Sequence, residues 1–192
     1  MYLVEPPSSP AAEAMYAEDR AAMGYVMTGS RLWAHVPELH DDLFALLGRA
    51  AERAGLGVRE RGILITACAS MLGDSYCSMA WGYKLASVAG ADVAADVLRG
   101  VDDGLTARER ALAAWARRLA DDPNATSAAD VEALRSAGYD DADVLAITAY
   151  VALRIAFSTV NDALGVQPEP ELAELAPEAV RTVVTYGRPT RS

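Results

Sequence analysis

The stretch GDSYCSMAWGYKLA, residues 73–86 of this 192-residue chain, gathers the side chains best suited to chemistry. A carboxylate, Asp74, stands three residues before Cys77, and Trp81 stands four after it. If Asp74 caps a helix, Cys77 falls in the first turn, where the helix dipole favours a thiolate. The Asp74 charge opposes this, because one negative charge disfavours a second beside it. The full charge is expected to outweigh the partial one and to keep Cys77 mainly a thiol at neutral pH. Asp74 and Cys77 are the candidate catalytic pair if this stretch is a working site. The plainer alternative is a capping aspartate followed by a small packing residue. Tyr76 and Trp81 are core filling or the wall of a pocket for an apolar or aromatic ligand.

Arg154 interrupts the apolar run 144–157. Either it is satisfied by an internal carboxylate or by snorkelling to the surface, or it anchors a carboxylate in the same pocket. Cys68, nine residues before Cys77, lies on the apolar face of the preceding helix and reads as a core residue. The two cysteines are expected to stay reduced and apart. His35 and His40 are separated by Pro37 and share no helical face, so no metal site is expected. Gly55-Leu56-Gly57 lacks the third glycine and the preceding strand of a nucleotide fingerprint. No cofactor is expected.

The net charge of −10 disfavours nucleic acid and anionic membrane surfaces as partners. Residues 1–30 lack the basic start and apolar run of a secretory signal. No uninterrupted apolar stretch reaches the roughly 18 residues of a membrane span. Two cysteines make no disulfide framework, and a cytoplasmic location is expected.

The elements that must hold these residues are helices throughout. The pattern predicts a proline-rich arm over 1–10 and helices over 11–23 and 38–54, with a short turn of helix between them. Residues 58–72 place Ile63, Leu64, Ala67, Cys68 and Met71 on one face. A helix from Asp74 to about 88 follows, then a short one between Gly90 and Gly100. Thr106 and Glu109 form a capping-box pair, with a stop before Pro123. Ser127 and Asp130 open another helix that ends near Gly138. The longest helix, 140–164, is expected to be buried on most sides. A last helix or arm is expected over 171–184, with a frayed RPTRS end.

In this order, VRERGILITACASMLGDSYCSMAWGYKLA, LTARERALAAWARRLADDP, DVEALRSAGYDDADVLAIT and FSTVNDALGV resemble the alkylhydroperoxidase D (AhpD)-like, carboxymuconolactone decarboxylase superfamily, in particular its uncharacterised peroxidase-related branch. The resemblance runs roughly from 15 to 168. It implies an all-α AhpD-like helical fold that assembles into oligomers, with 11–168 as the helical domain and 169–192 as a C-terminal helix or arm.

Thiol members of that family carry Glu-x11-Cys-x2-Cys-x3-His, in which the cysteines cycle between dithiol and disulfide while Glu and His relay a proton. Cys77 matches the second cysteine. Asp74 stands at the first, Trp81 at the histidine and Gly62 at the glutamate. Glu60 is two residues away, about 200° around a helix, and faces elsewhere. Ser158 and Thr159 stand where many relatives have Asn-Arg after the phenylalanine, while Asp162 and Gly165 fit.

Three readings follow: a small-molecule pocket recut around Cys77, Gly62, Tyr76, Trp81 and Arg154 with two-cysteine peroxidase chemistry lost; a thiol peroxidase or oxidoreductase using Cys77 and an external thiol; and a non-catalytic oligomeric protein. The apolar 140–164 helix, too greasy for a few short helices to cover, adds the expectation of a symmetric homo-oligomer.

Overall fold

Glycine and capping residues set the helix boundaries in the computed structural model, which describes residues 1–191; Ser192 lies outside them. Eleven α-helices and one 3-10 turn carry the described chain, with no strand among them. Helix α4, Val58–Leu72, ends where Gly73 turns left-handed at φ 72°. Asp74 follows at once as N-cap of α5, Ser75–Ala89, its side chain accepting from the Cys77 N–H at 2.9 Å. Two residues thus close one helix and open the next, and α4 and α5 pack side by side.

Close approach fixes their spacing. A Cβ on Gly62 of α4 would lie 3.2 Å from Leu85 of α5. Gly62, expected at the pocket, is instead a contact point between the two helices. It does not line the cavity described below.

Helix α6, Ala91–Arg99, lies against α5 between glycine caps. Helix α7, Ala107–Asp121, opens on the Thr106–Glu109 capping box. Glu109 also takes the Arg59 guanidinium of α4, so one buried carboxylate caps α7 and ties it to α4. Helix α8, Ala128–Ser136, opens on Ser127 and Asp130 as the spacing predicts. On the other side lie α1, Pro10–Met23, α2, Thr28–Trp33, and α3, Pro37–Arg53.

Helix α9, Asp141–Ala163, is long and apolar enough to cross a membrane by length and composition. It packs on α3, α4 and α7, and its inner face carries Arg154, Ser158 and Asn161. Within the protomer the helix is not buried on most sides. Leu145 is 70% exposed, and Ala149, Ala152, Ala156, Thr159 and Ala163 continue its outward stripe.

The C-terminal segment forms two short helices rather than one. Pro177 separates α10, Pro170–Leu175, from α11, Glu178–Val183. Both pack on α5, and α11 also packs on α6. Residues 188–191, expected to fray, make contacts back to the body of the protein. Arg188 donates to the Tyr2 hydroxyl and to the Asp162 carbonyl at 2.7 and 2.9 Å, and the Arg191 N–H reaches Pro168 O at 2.8 Å. Gly187 makes this closure possible, since it sits at φ 70° where a Cβ would come within 2.4 Å of Gly73 O.

Candidate functional site

A cavity of about 280 Å³ opens beside Cys77, between α1, α2, α3, α5 and α9. Helix α5 supplies Tyr76, Cys77, Ala80, Trp81 and Lys84, one turn-by-turn face of the helix. Helix α9 adds Arg154 and Phe157, one turn apart. Trp33 of α2 lies flat against Phe157 at 5.3 Å between centroids, and Phe44 of α3 meets Phe157 edge-on at 5.5 Å. The Trp33 indole N–H is held by Asn161 Oδ1 at 2.9 Å. The lining is therefore aromatic and locked by packing.

Helix α2 forms one wall although it has only six residues and no cap of its own. Its first N–H groups are satisfied from a distance. Asp19 accepts the Met27 N–H at 2.9 Å, Glu169 accepts that of Thr28, and the Tyr76 hydroxyl accepts that of Gly29 at 3.2 Å. Glu169 is buried, and that burial raises its carboxyl above the ordinary range. Tyr76 is both pocket wall and the peg that fixes α2.

Cys77 is the third residue of α5, and only 1% of its surface is exposed. Burial pushes its thiol far above the ordinary range, and the Asp74 charge pushes it further; Arg154 and the Ser158 hydroxyl pull it back. Burial is a cause that the sequence-based comparison of carboxylate and dipole did not weigh. The thiol is held protonated first by desolvation and only second by Asp74. Asp74 is fully buried behind Cys77, with Oδ2 unpaired, and does not line the cavity. Cys68, on α4, is buried, and its thiol is pushed up to about 12 by that burial. Both cysteines are free thiols.

Arg154 is 4% exposed and neither snorkels nor pairs with an internal carboxylate. Its Nη2 donates to Cys77 Sγ at 3.5 Å, and its Nε has no partner. Aromatic faces take up part of the charge, with Phe157 at 4.7 Å and Trp81 at 5.7 Å from the guanidinium carbon. Trp81 also faces the Lys84 ammonium, 4.9 Å from its ring. Burial lowers the Lys84 pKa, and the Arg154 charge lowers it further.

The sequence-based site thus divides. Cys77, Tyr76, Trp81 and Arg154 meet at the cavity, Asp74 stands behind the sulfur, and Gly62 is elsewhere. Trp33 lines the cavity as well. His40 is on the wall, stacked on Phe44 at 4.3 Å, while His35 bonds the Val4 carbonyl. Phe44, Lys84 and Phe157 went unrecognised as lining residues because helical periodicity marks which face is apolar, not what that face meets. Among the described residues, no group of three or more His, Cys, Asp or Glu side chains is placed to hold a metal.

No protein-family model matches the sequence, and neither does any curated protein. Solved structures do match. One is an uncharacterised peroxidase-related protein with an AhpD core from Ralstonia eutropha JMP134, 22% identical, with a TM-score of 0.71 over 90% of this chain and 96% of that one. A second uncharacterised peroxidase-related protein, from Silicibacter sp. TM1040, is 20% identical, with a TM-score of 0.76 over 89% and 93%. A third is a cysteine-to-alanine variant of the debrominase Bmp8 in complex with 2,3,4-tribromopyrrole, 16% identical, with a TM-score of 0.70 over 95% and 95%. The all-helical order, the paired α4–α5 hairpin behind Cys77 and these matches across nearly the whole chain identify the architecture as the AhpD-like helical fold.

Proposed function

We propose that this protein is a divergent AhpD-like small-molecule protein whose pocket is built around Cys77, and that two-cysteine peroxidase chemistry is lost. The observation that carries this reading is the aromatic cavity at the Cys77 thiol, together with Asp74 and Trp81 at the positions that the family resemblance gives to a cysteine and a histidine. A dithiol cycle needs a second sulfur at that turn, and Asp74 cannot supply one. A proton relay needs a titrating side chain where Trp81 stands. The debrominase relative, whose structure was solved with a brominated pyrrole, supports the same scaffold taking a small ring.

A one-cysteine peroxidase is the second reading, favoured by the Arg154–Cys77 contact. Cys77 would take one oxygen from a hydroperoxide, releasing the alcohol. Two external thiols would then return the sulfenate to thiol, yielding their disulfide and water. Hydroperoxide consumption with several thiol donors decides between the two. The pocket reading expects no turnover above a Cys77→Ser control, and turnover that depends on Cys77 would establish the peroxidase.

The chain is also proposed to work as a symmetric homo-oligomer, since the outward stripe of α9 leaves Leu145 in water.

A further inference from the structure

Arg154 holds a full positive charge inside the protein with no carboxylate against it. Its one hydrogen bond goes to a thiol, which the surroundings keep protonated and hence neutral. A buried charge of this kind is costly unless it is paired. Phe157 and Trp81 offset part of the cost through their ring faces, but a quadrupole is not a counter-ion. Nε remains unpartnered. Lys84 crowds the same Trp81 ring and likewise pairs with no acid. Two cations thus flank one indole on the wall of one cavity.

We propose that this cavity binds a small aromatic carboxylate, its ring against Trp33, Phe157 and Phe44 and its carboxylate on Arg154, with Lys84 as the second cation. The inference rests on the pocket reading above and adds the chemical class of the ligand. The cavity, about 280 Å³, lies at the small end of ligand pockets and suits one or two rings. The planar guanidinium fork matches a carboxylate. The carboxylates on the lining set the direction. Glu18 is exposed and Asp19 is engaged by the Met27 N–H, and both come from α1. The Asp19 charge also reaches Lys84, so Arg154 is the cation left for an anionic end. Asp74, the remaining nearby acid, lies behind Cys77 and does not line the cavity.

The test is titration of the purified protein with benzoate, its neutral isostere benzamide and the aliphatic acid butyrate, read by calorimetry and tryptophan fluorescence. Benzoate is expected to bind at least tenfold tighter than either of the other two, as expected for a charge-assisted pair inside a protein. Arg154→Gln is expected to abolish the preference for benzoate over benzamide, and Lys84→Gln to reduce it. If benzamide binds as well as benzoate, the pocket stands and the carboxylate assignment is wrong. If none of the three binds, both the assignment and the pocket reading fall. Should Arg154→Gln not fold, as judged by circular dichroism, the benzoate-to-benzamide ratio on the unmodified protein still decides.

Discussion

Arg154 Nη2 lies 3.5 Å from Cys77 Sγ, joining α9 to the first turn of α5 across 77 positions of sequence. The contact puts a permanent cation beside a thiol that burial and Asp74 both hold protonated. Opposing influences on one sulfur make its reactivity a sensitive readout of the site.

Asp74→Asn tests the carboxylate's share. Asn caps a helix about as well as Asp, so the Cys77 N–H keeps its acceptor. With the charge gone, alkylation of Cys77 by iodoacetamide at pH 7 is expected to rise several-fold. The thiol stays predominantly protonated, because desolvation, the larger cause, is untouched. An unchanged rate across pH 7–9 would show that the Asp74 charge does not act on the sulfur.

Mild oxidation is expected to modify Cys77, as sulfenate or as an adduct with an added thiol, and to leave no Cys68–Cys77 crosslink. Cys77 lines the cavity and Cys68 does not, so oxidant and added thiol reach Cys77 first, while Cys68, buried on α4 with its thiol pushed up to about 12, is a poor partner for a crosslink. Peptide mapping by mass spectrometry reads the outcome; a near-quantitative internal disulfide would restore a two-sulfur cycle to consideration.

Asp162 is expected to make folding pH-dependent. Burial, and then the Asp74 charge, raise its carboxyl from the ordinary 3.8 to about 6, partly offset by Arg188. Between those values the native state holds a proton that the unfolded chain has released. Stability from this group is therefore full below about pH 4 and is lost as pH rises through about 6. Asp162→Asn should raise stability at pH 7 by up to about 1 kcal/mol, allowing for solvent screening of a half-buried group. The gain should vanish near pH 4. Urea melts at the two pH values measure it, and an equal gain at both would refute the linkage.

Leu145→Glu should weaken self-association while leaving the protomer folded. The side chain is 70% exposed on the outer stripe of α9, so a charge there costs little in the monomer and much in an apolar interface. Light scattering at micromolar concentration is expected to show a multiple of the 20.3 kDa chain for the parent and a smaller species for the variant. A monomeric parent would rule out the proposed assembly.

Gly187→Ala should loosen the C-terminal clasp. It meets both a left-handed backbone and the Gly73 carbonyl, a combination that costs about 1–3 kcal/mol locally. Hydrogen exchange should quicken over residues 184–191 and at the start of α5, where Ser75 Oγ donates to Arg188 O at 2.7 Å. Protection equal to the parent would show that the segment is held by other contacts.

Local physics was legible in the sequence alone. The bounds of α4, the capping pairs Thr106–Glu109 and Ser127–Asp130, and Asp74 as the cap that places Cys77 in the first turn of α5 all depend on residues within four positions of one another. Side-chain hydrogen bonds to nearby N–H groups and glycine's access to the left-handed region act at that range whatever lies across the core. The order of such elements carried the all-helical fold as well. Only the tertiary structure decided that Gly62 touches Leu85 rather than the cavity, that Phe44 and Lys84 face the same space, and that the outer side of α9 is uncovered. Desolvation exceeds the Asp74 charge at Cys77 for the same reason. Burial is a property of everything packed around an atom, and helical periodicity records that a face is apolar without recording what it meets.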